Sequence, residues 1–469
     1  MGVEISSYQK GKRWEAFIPV LALLAPFFNL LISDNYSPLN PESLIVAGFI
    51  GVFGAIVGLL ILKSGRKFSA VLVAIFVIMF IDFQLYWYWA THYIQHVLIN
   101  LASVALLAWL ILKFRKVAGQ TLLVVFVVIN VSTAAGFFFS SAAPVEPPKK
   151  AVSDNGSSLP ILIHIVLDEF GGIRALENAA PIAQSEIDEM TAGYLENGFN
   201  VFPNAYSQFF KSTLSLGHLV NFKPAFDQDI MTEIMKSKFY DLSNNAYFSY
   251  LRDRGFQLHV FSNEYLNFCK VGKFEDVTCN KYKYKDLSVL RKFPVSTQDR
   301  AVIIGNVYLS FLNYYTWFKE IGRLALNRGD DQAAGDISGY KALDFHFPFA
   351  LGAMDELNKL SASLEAAQPG DAYFLHMLLP HYPYLVDSAC QPLPISKWVM
   401  HRFSGNPFDG NSETTRDVRY AHYWQQVKCT NKLMGELVER LKGLGLYENT
   451  VLIFHGDHGS RINKIEPLF

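Results

Sequence analysis

A strong charge imbalance is absent from this chain of 469 residues. Its 41 Lys and Arg residues are balanced by 42 Asp and Glu residues, so the formal net charge is −1. Proteins that bind nucleic acid through phosphate contacts carry an excess of positive charge, and nucleic acid is therefore not an expected partner. Internal repeats and low-complexity runs are absent as well, which argues against a repeat protein.

Cysteine is scarce. The four cysteines all lie in the second half of the chain, and no pair has the Cys-x-x-Cys spacing of a zinc cluster. In an oxidising compartment, four cysteines allow three disulfide connectivities. We favour Cys269–Cys279 as a short local loop and Cys390–Cys429 as a longer one.

Long hydrophobic runs are concentrated before residue 141, although 51% of the whole chain is apolar. Five runs approach the roughly 20 residues that are needed to cross a bilayer, which predicts a transmembrane helical bundle at 1–140. The alternatives are a set of buried core helices, or fewer spans with one re-entrant segment. The predicted spans are about 16–33, 43–62, 68–88, 97–112 and 117–140.

Basic residues fall on alternate loops between these runs. Lys and Arg precede the first run and follow the second and the fourth, whereas the loops 34–42 and 86–96 contain neither. The positive-inside rule then predicts a cytoplasmic N-terminus and an extracytoplasmic location for everything after the fifth run. Asp34 and Asn35 follow the first run in place of the small residues of a cleavage site, so no cleavable signal is expected.

The remainder of the chain has the pattern of an α/β domain. Residues 141–159 are rich in Pro, Ser and Lys and are typical of a linker. In 160–469, apolar strands alternate with polar helical stretches, which favours a largely parallel sheet covered by helices. The predicted strands are 160–167, 199–202, 255–261, 372–378 and 450–456, and the predicted helices include 180–196, 240–254, 352–366 and 415–443.

Two of these strands end in metal-ligand types. Asp168 and Glu169 follow the first predicted strand, and Asp457 and His458 follow the last one. An Asp at a strand end is often only a helix cap. Two such ends in one parallel sheet instead predict a metal site at its carboxyl edge, with Asp168, Glu169, Asp457 and His458 as ligands.

A possible nucleophile lies between the two acidic motifs. Ser212 and Thr213 precede an apolar run and so begin a predicted helix, where a hydroxyl is an ordinary N-cap. The same position favours nucleophilic attack, because helix N–H groups stabilise an incoming anion and a divalent metal lowers the pKa of a hydroxyl. The pattern by itself does not choose between the two residues.

His381 follows a strand and precedes a proline turn in the stretch Pro380-His381-Tyr382-Pro383. There it could bind a phosphoryl oxygen or protonate a leaving group. His376 lies within the strand itself, where packing or support of a ligand is the favoured interpretation. His164 and His455 also lie within strands and receive no role.

Taken together, these motifs resemble the alkaline phosphatase superfamily in its sulfatase-like branch, with an architecture similar to lipoteichoic acid synthases and phosphoethanolamine transferases. The resemblance implies a metal held by Asp168, Asp457, His458 and the nucleophile, with Glu169 as a neighbouring ligand and His381 in substrate binding. It implies Ser212 as the nucleophile, with Ser215 three positions later, and Thr213 as the alternative. Such a set of donors fits Zn²⁺ or Mn²⁺ best, with Mg²⁺ or Ca²⁺ as alternatives.

The chain also departs from this family. True sulfatases resemble Cys/Ser-x-Pro-x-Arg at the nucleophile, whereas Ser212 is followed by Thr-Leu-Ser-Leu. That difference argues against sulfate ester hydrolysis through a formylglycine. Eleven residues follow His458, from 459 to 469, and family members continue further, so we expect a domain that is truncated at its C-terminus.

The resulting hypothesis is a metal-dependent enzyme anchored in the bacterial inner (plasma) membrane. It would transfer a phosphorus-containing head group from a lipid-borne phosphodiester through a covalent phospho-Ser or phospho-Thr intermediate, and the acceptor would be a lipid, an envelope glycan or water. Two alternatives stay open: a hydrolase of phosphate or sulfate esters, and a non-catalytic sulfatase-like binding protein.

Overall fold

The structure, a computed structural model, describes residues 14–89, 93–139, 159–177, 184–235, 240–269, 277–283, 286–315, 347–398, 413–460 and 462. The chain divides into two compact units. The first comprises Met1–Val145, Ser296–Gln332 and Tyr340–His346, and the second comprises the rest. Nearly all of the predicted linker, residues 141–158, lies outside the described residues.

Apolar helices build the first unit, and each covers one of the five predicted runs. Their apolar side chains form a shared core that includes Ile18, Ile61, Val73, Ile111 and Phe126. The helices are α1 (Ile18–Ser33), α2 (Pro41–Lys63), α3 (Arg66–Trp89), α4 (Tyr93–Lys113) and α5 (Arg115–Phe139).

The prediction of five membrane spans is not supported. Among the described residues, only α2 is long and apolar enough on its own to cross a membrane. The stretches Val97–Lys113 and Val117–Thr133 meet at a bend of 120° and add at most one further span. Helix α1 has 16 residues, about 24 Å at 1.5 Å per residue, which is short of the roughly 30 Å hydrocarbon core. Length and composition therefore support one or two spans.

A helix from far along the chain also belongs to the first unit. Residues 297–315 form a helix (Thr297–Tyr315) inside the range that the sequence assigned to the catalytic domain. Its Tyr308 hydroxyl donates to the carbonyl of Leu23 at 2.6 Å, and Arg300 Nε donates to Glu42 Oε1 at 2.8 Å. Glu42 is fully buried in the first turn of α2, so the guanidinium offsets a charge that burial would otherwise make costly.

The second unit contains a five-stranded parallel sheet, which confirms the predicted α/β class. The strand order is β5-β3-β6-β1-β7, and every neighbouring pair is parallel. All seven residues of β1 are buried, as expected for a central parallel strand covered on both faces. The strands are β1 (Ile161–Leu167), β3 (Gln257–Asn263), β5 (Val277–Tyr282), β6 (Asp371–Met377) and β7 (Thr450–Gly456); β2 (Tyr240–Asp241) and β4 (Leu266–Asn267) form a separate two-stranded sheet.

The strands and helices of this unit lie close to their predicted bounds, with two exceptions. The predicted strand at 199–202 is irregular backbone, and the predicted helix at 240–254 begins as strand β2 before it becomes helical at Ala246. The helices of this unit are Ile173–Glu177, Gln184–Glu196, Ser212–Leu219, Gln228–Met235, Ala246–Asp253, Phe349–Ser363 and Glu413–Gly443.

Two disulfides occur in the second unit, and both preferred pairings are confirmed. Cys269 bonds Cys279 with Cα atoms 5.8 Å apart, and Cys390 bonds Cys429 with Cα atoms 5.0 Å apart. The second bond closes the longer loop, since its cysteines are 39 residues apart compared with 10 in the first. It ties the loop after β6 to helix Glu413–Gly443.

Removing the Cys390–Cys429 bond should destabilise the second unit more than removing the short one. Chain-entropy arguments predict that the disulfide of the longer loop stabilises the folded state by about 4 kcal/mol and that of the ten-residue loop by about 2.7 kcal/mol. The double variant Cys390→Ser/Cys429→Ser should therefore unfold at lower denaturant than Cys269→Ser/Cys279→Ser. Denaturation of the full chain in detergent, followed by near-UV circular dichroism, measures both, and an equal or reversed effect would contradict the expectation.

Candidate metal centre and nucleophile

The two acidic motifs meet at the carboxyl edge of the sheet. Strand β1 pairs with β6 on one side and with β7 on the other, which sets Leu167 opposite both Met377 and Gly456. The first residue after β1 is Asp168, whose N–H donates to the carbonyl of Met377 at 3.0 Å. Because neighbouring parallel strands end at the same edge, residues that are far apart in the chain share one site.

Backbone hydrogen bonds lock the carboxylate of Asp457 in place. Its Oδ1 accepts from the N–H of Glu169 at 3.0 Å and from the N–H of His458 at 2.7 Å. Glu169 has a φ of 64°, a left-handed conformation that costs a non-glycine residue energy and that this bond helps to hold. The turn after β1 and the turn after β7 are thereby joined through one carboxylate.

Ser212 brings a hydroxyl to the same group of side chains. It is the first residue of helix Ser212–Leu219, after Lys211 in extended conformation. Its Oγ lies 3.4 Å from each carboxylate oxygen of Asp168 and 3.2 Å from Nε2 of His458. Thr213 is buried beside it. One turn further, the hydroxyl of Ser215 donates to the carbonyl of Asp457, so the helix is fastened to the turn after β7.

Asp168, His376 and Asp457 form a group that could hold a cation, with one ligand-type atom from each lying within 4.8 Å of the others. All three side chains are buried. Oδ2 of Asp457 accepts no hydrogen bond from the described residues. Burial of the Asp168 carboxylate beside that of Asp457 raises the free energy of the folded state unless a positive charge compensates both.

The electrostatics of the two carboxylates differ. Burial raises the pKa of Asp457, and the negative charge of Asp168 raises it further. Burial also raises the pKa of Asp168, but His381, His376 and His458 outweigh it and hold the pKa of this carboxyl well below its usual range. The surroundings therefore stabilise the ionised form of Asp168 and disfavour that of Asp457, and a cation would stabilise both carboxylates. The residues present fit the divalent metal that the sulfatase-like resemblance implies.

The tautomer of His458 suits a metal ligand. Its Nδ1 lies 2.8 Å from the carbonyl oxygen of Gly459. A carbonyl only accepts, so Nδ1 carries a proton, and in the neutral imidazole Nε2 then keeps its lone pair. That Nε2 lies 3.8 Å from Oδ1 of Asp168 and 3.5 Å from Oδ2 of Asp457.

His381 and Glu169 extend the site on one side. Nδ1 of His381 lies 2.5 Å from the carbonyl of Tyr382, and Nε2 lies 3.7 Å from Oε1 of Glu169. Glu169 is fully buried and His381 is only slightly exposed. This imidazole therefore borders the buried group rather than sitting within it, which suits contact with a substrate.

The structure thus brings together Asp168, Glu169, Ser212, His381, Asp457 and His458, the residues selected from the sequence. Their roles as ligands, nucleophile and substrate contact remain predictions.

Helix Glu413–Gly443 holds the loops of the site in ways that the sequence did not reveal. The Tyr423 hydroxyl donates to the carbonyl of Glu169 at 2.8 Å and accepts from the N–H of Gly171 at 2.9 Å. Nε2 of Gln426 donates to the carbonyls of Pro380 and His381, both at 3.1 Å. The two residues are three apart and so share one helix face, but no motif marks them.

The amino-acid sequence matches a family of known proteins. Residues 160–467 match the Sulfatase family. The chain belongs to the sulfatase family. This membership is consistent with the alkaline phosphatase superfamily and supports an enzyme of the esterase type. No curated protein sequence matches the chain significantly.

One similar solved structure is the phosphonate monoester hydrolase of Agrobacterium radiobacter, with a TM-score of 0.39 and 11% sequence identity. The match covers 65% of this chain and 63% of that hydrolase, so it spans less than two thirds of the hydrolase.

Gly456 offers a test of how closely the two turns must approach. A Cβ built at this residue would lie 2.2 Å from the carbonyl oxygen of Phe170, whereas a Cβ at Gly459 would meet no atom within 4 Å. Gly456→Ala should therefore push the turn carrying Asp457 and His458 away from Asp168 and lower Zn²⁺ affinity by about tenfold or more. Gly459→Ala is the matched control and should bind Zn²⁺ as the unmodified protein does.

Titration of the metal-free full-length protein against a chromophoric chelator measures the affinity in each case. Equal affinities for the two variants would show that the close approach of Gly456 to Phe170 is not required for the site.

Proposed function

We propose that the protein is a membrane-anchored, metal-dependent transferase related to the lipoteichoic acid synthase and phosphoethanolamine transferase branch. It moves a phospho head group from a phospholipid-type phosphodiester to an acceptor through a covalent phospho-Ser212 intermediate. The observation that carries this proposal is the position of the Ser212 hydroxyl. It is buried at a helix N-terminus, 3.4 Å from both oxygens of Asp168 and 3.2 Å from Nε2 of His458.

In the first step, Oγ of Ser212 forms a bond to phosphorus while the bond from phosphorus to the glycerol oxygen of the lipid breaks. The serine proton ends on the released diacylglycerol, and we assign its delivery to His381, which borders the buried group. We expect the first N–H groups of helix Ser212–Leu219 to stabilise the charge of the phosphoryl oxygens. In the second step an acceptor hydroxyl forms a bond to phosphorus while the bond from phosphorus to Oγ of Ser212 breaks, and the acceptor's proton returns to Oγ.

Asp168, Asp457, His458 and Ser212 are the residues that would hold the metal, with Glu169 beside them. When bound, a divalent cation lowers the pKa of the serine hydroxyl and offsets the negative charge that develops on the phosphoryl group. Zn²⁺ or Mn²⁺ suits two carboxylates, an imidazole and a hydroxyl best.

The residues after Ser212 favour phosphorus over sulfur as the reacting centre. Thr213-Leu-Ser-Leu supplies neither the Pro nor the Arg of the Cys/Ser-x-Pro-x-Arg pattern that accompanies formylglycine in sulfatases. A plain serine can attack a phosphodiester and be regenerated in a second displacement. We therefore favour phosphodiester cleavage over sulfate ester hydrolysis as the reaction of this protein.

Exposed aromatic side chains around the nucleophile helix support a lipid-borne donor. Phe222 and Phe226 follow the helix and are 58% and 56% exposed, and Phe202 and Tyr206 precede it at 76% and 75%. Lys211 and Lys223 stand among them. Aromatic rings interleaved with Lys suit the interfacial region of a phospholipid bilayer, where the rings enter the headgroup level and the cations meet lipid phosphates.

Helix α2 and the two disulfides support the proposed location. Helix α2 is long and apolar enough to anchor the chain in a membrane. Disulfides persist outside the cytoplasm, which favours an extracytoplasmic catalytic domain at the bacterial plasma membrane, with the N-terminus in the cytoplasm. The acceptor is then a lipid or a glycan of the cell envelope.

Incubation with mixed bacterial phospholipids should leave a head-group adduct on the purified full-length protein. Intact-protein and peptide mass spectrometry should locate it on Ser212, and Ser212→Ala should abolish it because no other hydroxyl lies between Asp168 and His458 among the described contacts. Thr213→Ala is the matched control and should keep the adduct.

Loss of the adduct only in Thr213→Ala would move the nucleophile by one residue. Release of head group into water, without transfer to added acceptor lipid or glycan, would establish the hydrolase alternative. Absence of any adduct and any product would leave the binding-protein alternative.

The exposed aromatic residues should matter for lipid substrates alone. Phe222→Ser/Phe226→Ser should lower cleavage of phospholipid in vesicles by about tenfold, because two rings lose partial burial in the interface, and should leave cleavage of soluble bis(p-nitrophenyl) phosphate unchanged. Leu195→Ser, at a side chain 57% exposed on another helix, is the control. Equal loss on both substrates would contradict a role in lipid contact.

A further inference from the structure

Asn263 is a buried amide whose orientation is fixed by its surroundings. It ends strand β3 and is fully buried. Its side-chain oxygen accepts from the backbone N–H groups of Tyr265 at 3.0 Å and Leu266 at 3.1 Å. Two N–H donors can meet only an oxygen, so the amide cannot be turned over, and its Nδ2 must point the other way.

Nδ2 of Asn263 points at His376 on the neighbouring strand β6. The distance from Nδ2 to Nδ1 of His376 is 3.1 Å. An amide nitrogen only donates, so Nδ1 of His376 must present its lone pair. An imidazole with a bare Nδ1 carries its proton on Nε2. The Asn263 amide therefore sets the tautomer of His376.

That tautomer is the opposite of the one a metal ligand needs at Nε2. A ligating imidazole donates from its outer nitrogen and binds with the lone pair of the other, as His458 can do through its Nδ1 contact with the Gly459 carbonyl. His376 has the reverse arrangement. Its Nε2–H is buried and lies 3.4 Å from Oδ2 of Asp168.

We propose that His376 is a positioning residue and not a metal ligand. Its Nε2–H restrains the carboxylate of Asp168 through an electrostatic contact with Oδ2 at 3.4 Å. Oγ of Ser212 lies 3.4 Å from both oxygens of that carboxylate, and Nε2 of His458 lies 3.8 Å from Oδ1. Asn263 acts on Asp168 through His376, because its amide keeps the proton of His376 on Nε2 and so makes this nitrogen a donor. The assignment rests on the proposed function only in taking Asp168 and His458 as ligands.

Zinc affinity separates a ligand from a positioning residue. His376→Gln keeps a side-chain N–H donor but lacks an imidazole lone pair, so Zn²⁺ affinity of the metal-free full-length protein should stay within about threefold. His376→Ala removes the donor and should weaken binding by about 10- to 100-fold, as expected for groups that orient a ligand. His458→Gln should weaken it by more than about 100-fold. A loss in His376→Gln as large as that in His458→Gln would overturn the proposal.

A spectroscopic measurement tests the tautomer without relying on the variants' affinities. In protein with ¹⁵N-labelled histidine rings, the His376 signals, identified by their loss in His376→Gln, should show a protonated Nε2 and an unprotonated Nδ1. Asn263→Asp puts an acceptor opposite Nδ1 and should move a proton to it. A protonated Nδ1 in the unmodified protein would overturn the proposal.

These readouts are separate from those for the proposed function. Failure to form the Ser212 adduct leaves the tautomer and the zinc affinities measurable, and a wrong tautomer leaves the adduct experiment intact.

Discussion

Two buried carboxylates at the ends of adjacent parallel strands are the constraint on which the catalytic unit depends. Asp168 and Asp457 are almost inaccessible to solvent, and their like charges raise the free energy of the folded state unless something offsets them. The protein offsets them with N–H groups of the two turns on Oδ1 of Asp457, and with three imidazoles around Asp168. A cation completes this compensation. The nucleophile helix bonds the turn after β7 through Ser215, and helix Glu413–Gly443 bonds the turn after β1 through Tyr423.

The direction of each imidazole is set by a backbone or amide group, not by the imidazole itself. Carbonyl oxygens of Gly459 and Tyr382 face Nδ1 of His458 and His381 and turn Nε2 toward the site. An amide nitrogen at Nδ1 of His376 does the reverse. Neighbouring histidines of similar burial thus acquire different chemistry from the group behind them, as is common around metal sites.

Another two histidines pair within the sheet itself, before its carboxyl edge. Nε2 of His164 on β1 is 2.7 Å from Nε2 of His455 on β7, and Nδ1 of His164 is 2.9 Å from the Tyr247 hydroxyl. Burial, with His455 adding to it, lowers the pKa of His164 to about 3. Burial also lowers the pKa of His455. These shifts favour the neutral imidazoles, and the pair forms a hydrogen-bonded link between strands β1 and β7.

Local sequence determined much of this protein. Apolar runs bounded by turn residues specify β1, β6 and β7, and Asp168, Asp457 and His458 could be selected because strand ends of a parallel sheet share an edge. The cysteine spacing suggested the two pairings without deciding among the three possible connectivities, and the structure confirmed them. The strand expected at 199–202 and the five spans were wrong because short apolar runs do not by themselves decide whether a segment pairs with a sheet, bends or crosses a membrane.

Only the tertiary structure decided the rest. It joined helix Thr297–Tyr315 to the first unit through the ion pair of Arg300 and Glu42. It also placed Tyr423 and Gln426 in hydrogen bonds with the loops that carry Glu169 and His381. It also set the tautomer of His376 through Asn263, 113 residues away in the chain. Such contacts depend on which side chains face each other across the sheet, and that is fixed by strand order and register, which no local pattern encodes.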